Sequence, residues 1–189
     1  MPGLDRILTI IRYLVSVTLL FNLTGCTSVP EGVKPVNDFE LSRYLGTWYE
    51  VARLDHSFER GLENVTATYT LNDDGSVIVL NKGFDTDDGE WTSAEGKAKF
   101  VDSDSKGHLK VSFFGPFYSS YVISYLQQSD AGNEDQYQMA YVIGYKSDFV
   151  WLLSRTPTVD DADKQLFKEH VAKIGVNTDE LIWVNQQPR

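Results

Sequence analysis

An all-β fold is what this 189-residue sequence predicts: an eight-stranded antiparallel up-and-down β-barrel with one α-helix packed on its outside. Three observations carry the prediction. Eight short runs with apolar residues at every second position follow one another from residue 47 to residue 155. The runs are separated by clusters of turn residues, such as Asn72-Asp73-Asp74-Gly75 and Asp102-Ser103-Asp104-Ser105-Lys106-Gly107, which suit tight antiparallel connections. Aromatic residues make up 13% of the chain, the wide side chains that favour a pleated, half-buried surface.

The elements are expected in this order. Residues 1–25 carry Arg6 and Arg12, then an apolar stretch from Tyr13 to Leu23. A basic flank, a short apolar run and small residues before a cut site are the parts of an export signal. The run is shorter than the roughly 20 residues a membrane-crossing helix needs. Residues 26–38 contain Pro30 and Pro35 and lack periodicity, so they are expected to form a tether, and residues 39–189 the globular body. The predicted strands are 47–54, 64–71, 76–82, 91–100, 108–113, 118–126, 137–144 and 149–155. A helix is expected from Thr158 or Asp160 to Ile174, ahead of Gly175, with Leu166, Phe167, His170, Val171 and Ile174 turned toward the barrel. Ile182-Trp183-Val184 reads as a last short strand.

Charge and composition narrow the function. The formal net charge is −10, and nothing resembles the clustered Lys and Arg that phosphate binding needs, so nucleic acid is excluded as a partner. Removing residues 1–25 takes Asp5, Arg6 and Arg12 from 27 acidic and 17 basic side chains and leaves a body at −11. The three histidines, His56, His108 and His170, fall in a loop, at a hairpin and on the helix, without metal-ligand spacing. No nucleophile elbow and no phosphate-binding loop is present, and no metal or cofactor is expected. A non-catalytic binding protein is therefore expected ahead of an enzyme acting on a lipidic substrate. The remaining alternative is a structural protein whose barrel is plugged by its own side chains.

Two motifs tie the chain to a family. Gly46-Thr47-Trp48 opens the first strand, and Leu153-Ser154-Arg155-Thr156-Pro157 ends the eighth. Together they resemble the first and last motifs of the lipocalin family, in which the Arg lies across the Trp at the closed end of the barrel. Gly46, Trp48 and Arg155 are the residues that resemblance assigns to the closed end. The middle motif of the family, a Thr-Asp-Tyr, is absent, and the polar insertion Gln127 to Asp135 stands in its region. Leu23-Thr24-Gly25-Cys26 resembles the bacterial lipobox, and Cys26 is the chain's single cysteine. That resemblance implies a diacylglyceryl-modified N-terminus on Cys26. Thr27, rather than Asp, follows it, which points to the outer membrane of a Gram-negative cell, on its periplasmic face.

Within the family the likeness is to the bacterial outer-membrane lipocalin group, through Phe58-Glu59-Arg60-Gly61-Leu62 and residues 110–117. It implies a fatty acid or lysophospholipid as the ligand, bound for membrane maintenance; a homodimer is a further expectation. Strand parity and the resemblance together give the expected ligand-facing set: Ala67, Tyr69, Val79, Ala94, Ala98, Val111, Phe113, Tyr121, Ile123, Ala140, Val142 and Trp151. Small residues on that face, Gly96 among them, are expected to leave room for the ligand.

Overall fold

The computed structural model describes residues 27–128 and 136–187. Residues 1–25, expected to be an export signal, Cys26 and most of the polar insertion lie outside them. A four-residue helix α1 (Leu41–Tyr44) leads into the strands β1 (Gly46–Arg53), β2 (Leu62–Leu71), β3 (Val77–Asp85), β4 (Glu90–Phe100), β5 (His108–Phe114), β6 (Phe117–Gln127), β7 (Met139–Ile143) and β8 (Val150–Ser154). Helix α2 (Asp161–Ala172), a 3-10 turn (Thr178–Glu180) and β9 (Ile182–Trp183) complete the chain. Each predicted strand is present to within a few residues. Helix α1 has no counterpart in the prediction, since four residues are too few to show a period.

From β1 to β8 each strand pairs antiparallel with the next in sequence, and β1 pairs with both β2 and β8, so the sheet closes on itself. Trp48 lies opposite Ala67 on one side, and Tyr49 opposite Ser154 on the other. β9 adds to β1 through Ala52 and Arg53. The up-and-down order places the connections β1–β2, β3–β4, β5–β6 and β7–β8 at one end, the mouth. α1 and the remaining turns gather at the other end.

The two faces of the wall carry separate cores. Inside, Phe39, Tyr44, Trp48, Tyr69, Val79, Ala98, Ile123, Tyr137 and Leu153 form one cluster. Outside, α2 covers Val51, Ala52, Tyr141, Ile143, Val150 and Leu152 with Phe167 and Val171. β7 is therefore buried on both faces, which is why Met139–Ile143 reads as an unbroken apolar run. Asp160 caps α2 by accepting from the amide of Asp163 at 2.8 Å. Phe167 meets Tyr141 edge-on at 5.0 Å. Leu166, expected to pack against the barrel, is exposed, because the covered stripe follows Phe167 and Val171, four residues apart.

The segment 27–38, expected to stand free as a tether, is laid on the barrel instead. Val36 donates its amide to the carbonyl of Ile123 and accepts from that of Gly107, both at 2.9 Å, and Asn37 bridges Lys106. Val33 is buried in the outer core. Val29 and Val33 pack on the outer core and Val36 on the inner one, so no single period marks them in the sequence.

Candidate functional site

The closed end is built around Arg155. Its guanidinium lies 3.9 Å from the centre of the Trp48 ring, the contact the two motifs predict. It also donates to five carbonyls: Thr47 at 2.8 Å through Nη1, Tyr137 at 3.1 Å through Nε, and Arg43, Tyr44 and Leu45 at 2.9–3.1 Å through Nη2. A four-residue helix cannot satisfy its own C-terminal carbonyls, and Arg155 does so from the far end of the chain. Gly46 turns the chain at φ +94, a conformation that side chains with a Cβ rarely adopt. Trp48 Nε1 donates to Tyr44 O at 2.8 Å, so the ring is fully buried with its polar edge satisfied.

Above this floor three tyrosines meet. The Tyr121 hydroxyl shares hydrogen bonds with Tyr44 at 2.7 Å and with Tyr69 at 2.6 Å. Burial raises all three phenols, Tyr69 to about 12, so they remain neutral donors at physiological pH.

The middle of the lumen is polar, which strand parity alone does not reveal. A β-bulge between Glu50 and Ala52 shifts the phase of β1 against β8. After it Arg53 lies opposite Trp151, as Glu50 lies opposite Leu153, and both point inward. Arg53 donates to Glu50 Oε1 at 2.7 Å and to the carbonyls of Glu59 and Leu62 at 2.7 and 3.1 Å. Glu59, from the β1–β2 loop, accepts from Trp151 Nε1 at 3.0 Å. Burial pushes the Glu50 carboxyl up to about 8, helped by the neighbouring Glu59 and opposed by Arg53. Glu59 is raised as well, again mainly by burial. Two carboxyls and one guanidinium thus share the site, and burial pushes both carboxyls toward their protonated form. Only Trp151 of this cluster stood in the expected set; a bulge and a loop residue leave no signal in alternation.

His56 closes the layer toward the mouth, stacked on Phe149 at 4.8 Å and on Phe58 at 5.2 Å. Burial, then Arg53, lowers it to about 4, so it is neutral at physiological pH.

The expected ligand-facing residues divide by depth. Val111, Phe113, Tyr121 and Trp151 pack on the inner cluster and are only partly buried. Ala67, Tyr69, Val79 and Ala98 are buried beside them. Ile123, Ala140 and Val142 have no accessible surface and belong to the packed wall. Ala94 is a correction: it shares the inward face of Gly96 and Ala98 but is exposed. β3 and β4 stay paired out to Asp85 and Glu90, whereas β5 meets β4 only from Lys97 downward, so Ala94 stands on a hairpin beyond the rim. Gly96 does not leave a void either. A Cβ there would sit 2.8 Å from the Phe113 ring, so the glycine makes room for a phenylalanine. Among the described residues no group of His, Cys, Asp and Glu could hold a metal ion.

Comparison with known proteins agrees with this geometry. The lipocalin-like domain family matches residues 39–186. The chain is 51% identical over 175 residues to the outer membrane lipoprotein Blc of Vibrio cholerae, covering 93% of this chain and 98% of that one. It is 47% identical over 171 residues to the Escherichia coli K12 protein of the same name, covering 89% and 93%. Among solved structures, the cockroach allergen Per a 4 superposes with a TM-score of 0.62 at 23% identity, over 85% of this chain and 96% of that one, a likeness of fold.

Proposed function

This chain belongs to the lipocalin family, and we propose that it is a lipid-anchored carrier of the outer membrane that takes a single-chain amphiphile into its barrel. The observation that carries the reading is the partial accessibility of Val111, Phe113, Tyr121 and Trp151, side chains that face the lumen and not the outer surface. A barrel plugged by its own residues would bury them, so their accessibility supports a carrier over a purely structural protein. Relatives named outer membrane lipoprotein support the location, and the lipobox ending at Cys26 supports the anchor.

The acyl tail takes the apolar side of the lumen, lined by Ala67, Val79, Ala98, Val111 and Phe113. Burying about 15 methylenes contributes about 12 kcal/mol before costs. Lost freedom on association takes back about 4 kcal/mol or more, which leaves binding in the micromolar class. The headgroup lies toward Arg53, Glu59, Trp151 and His56. Arg53 donates through Nη1 and Nη2 to Glu50 and two carbonyls but keeps a buried Nε–H without a partner among the described residues, beside the carboxyls of Glu50 and Glu59, so the site offers a donor to an anion and two carboxyls to a cation. A zwitterionic headgroup fits such a site better than an anionic one, which favours lysophospholipid over fatty acid.

Titration with a fluorescent lysophospholipid tests the reading. Val111→Trp fills the layer that Val111 shares with Ala98 and should abolish uptake while the melting temperature holds. Wild-type affinity in the folded variant would refute the lumen as the binding site.

A further inference from the structure

The mouth carries large apolar side chains in water. Phe114 and Phe117, at the tip of the β5–β6 hairpin, are 84% and 78% exposed; Phe58 in the β1–β2 loop and Trp91 at the start of β4 are 61% and 48% exposed. No charged residue occurs between Lys110 and Asp130, so the tip is uncharged as well as apolar. The neighbouring β3–β4 tip differs, carrying Asp85, Asp87, Asp88 and Glu90. Two nearly bare phenylalanines forfeit their transfer free energy unless something covers them.

We propose that the Phe114–Phe117 tip seats the mouth of the barrel on the surface of a phospholipid bilayer, so that the ligand passes between lumen and membrane without crossing water. This rests on the reading of the chain as a lipid-anchored carrier. The start of the folded body selects a bilayer over a second copy as the occupant. His108 Nε2 lies 3.0 Å from the carbonyl of Thr27 and 3.2 Å from Ser120 Oγ, so residue 27 is fixed on the outer wall at Ser120. Ser120 follows Phe117 by three residues along β6, about 10 Å at the usual rise of a strand. Cys26, the acylation site, is the next residue before Thr27. Anchor and aromatic tip therefore address the same surface, and the acidic β3–β4 tip keeps the rest of the rim hydrated. An acidic protein gains nothing from anionic lipid, so a zwitterionic bilayer suffices.

The test uses the acylated lipoprotein in phosphatidylcholine–phosphatidylethanolamine vesicles. Acylation consumes the Cys26 thiol, so Phe117→Cys supplies a single attachment point for an environment-sensitive fluorophore, and Leu71→Cys, exposed at the opposite end, is the control. The label at 117 should shift to the blue and be quenched by spin-labelled lipid, while the label at 71 stays in water. Equal exposure of both labels to water overturns the proposal. So does burial of the 117 label without quenching by lipid, which is the outcome for a dimer through the mouth. Replacing Phe114 and Phe117 together by Ser should weaken docking about a hundredfold, about tenfold for each half-immersed ring. Transfer of fluorescent lysophospholipid to vesicles should slow while its affinity in solution is unchanged. If the wild type docks but binds no amphiphile, the carrier reading falls and the docking surface stands; if it binds but does not dock, the reverse holds.

Discussion

Arg155→Leu tests whether one side chain closes the barrel. Leucine keeps part of the apolar stem and removes the contact with Trp48 together with all five hydrogen bonds. The loss is not five bonds deep. Arg43 O also accepts from the amide of Tyr137, and Tyr44 O from Trp48 Nε1, so those carbonyls keep a donor. Thr47 is exposed, so water can take over at its carbonyl, whereas Leu45 O and Tyr137 O lose their donor, at about 1–3 kcal/mol for each carbonyl left buried. The ring contact adds about 0.5–2 kcal/mol. The guanidinium is only partly buried, and water can replace some of its bonds, which puts the expected loss near 3 kcal/mol. Urea unfolding followed by circular dichroism would read this directly, and the melting temperature should fall by about 10 °C. Arg155→Lys should recover less than half, since an ammonium keeps the charge over the ring but cannot span five carbonyls arranged around a plane. A loss under about 1 kcal/mol for Arg155→Leu would refute the claim that this residue holds α1 and the end of β8 together.

Two further perturbations probe the lumen and the N-terminal segment. Glu50, raised to about 8 in the folded protein from an ordinary 4.5, holds a proton that the unfolded chain releases, so stability should fall as pH rises toward about 8. His56, lowered to about 4, works in the opposite direction only below its ordinary 6.5. Melting temperatures compared above pH 6.5 should therefore decline in the wild type and flatten in Glu50→Gln, and a flat or rising wild-type profile there would contradict the buried acid. Gly107→Ala would place a Cβ 2.7 Å from Val36 and 2.9 Å from the carbonyl of Ile123. It should cost about 1–3 kcal/mol and speed amide exchange at Val36, and unchanged exchange there would mean that the segment is not held at this point.

What could be read from the sequence is face, and what could not is depth. Alternation placed Ala67, Tyr69, Val79, Ala98, Val111 and Phe113 on the inside, because a strand with one wet side must alternate. The same rule put Ala94 inside without showing that β4 outruns β5 there, since the rim depends on the length of a neighbouring strand. It also could not find Arg53: a bulge adds one residue to β1, reverses the parity after it, and turns inward a side chain that simple counting from Trp48 sends out. Trp48 and Arg155 were legible only as motifs, because nothing local relates residues 107 positions apart. The polar cluster follows from the same logic. Glu50, Arg53 and Glu59 look like ordinary charged surface residues in sequence, and their burial arises from a bulge and a loop that fold back over the lumen. A charge in the chain is cheap; in the barrel Arg53 keeps its charge because Glu50 and two backbone carbonyls accept from it, while burial pushes the Glu50 carboxyl toward its neutral form. That balance gives the lumen a polar side and an apolar side, the asymmetry an amphiphile requires.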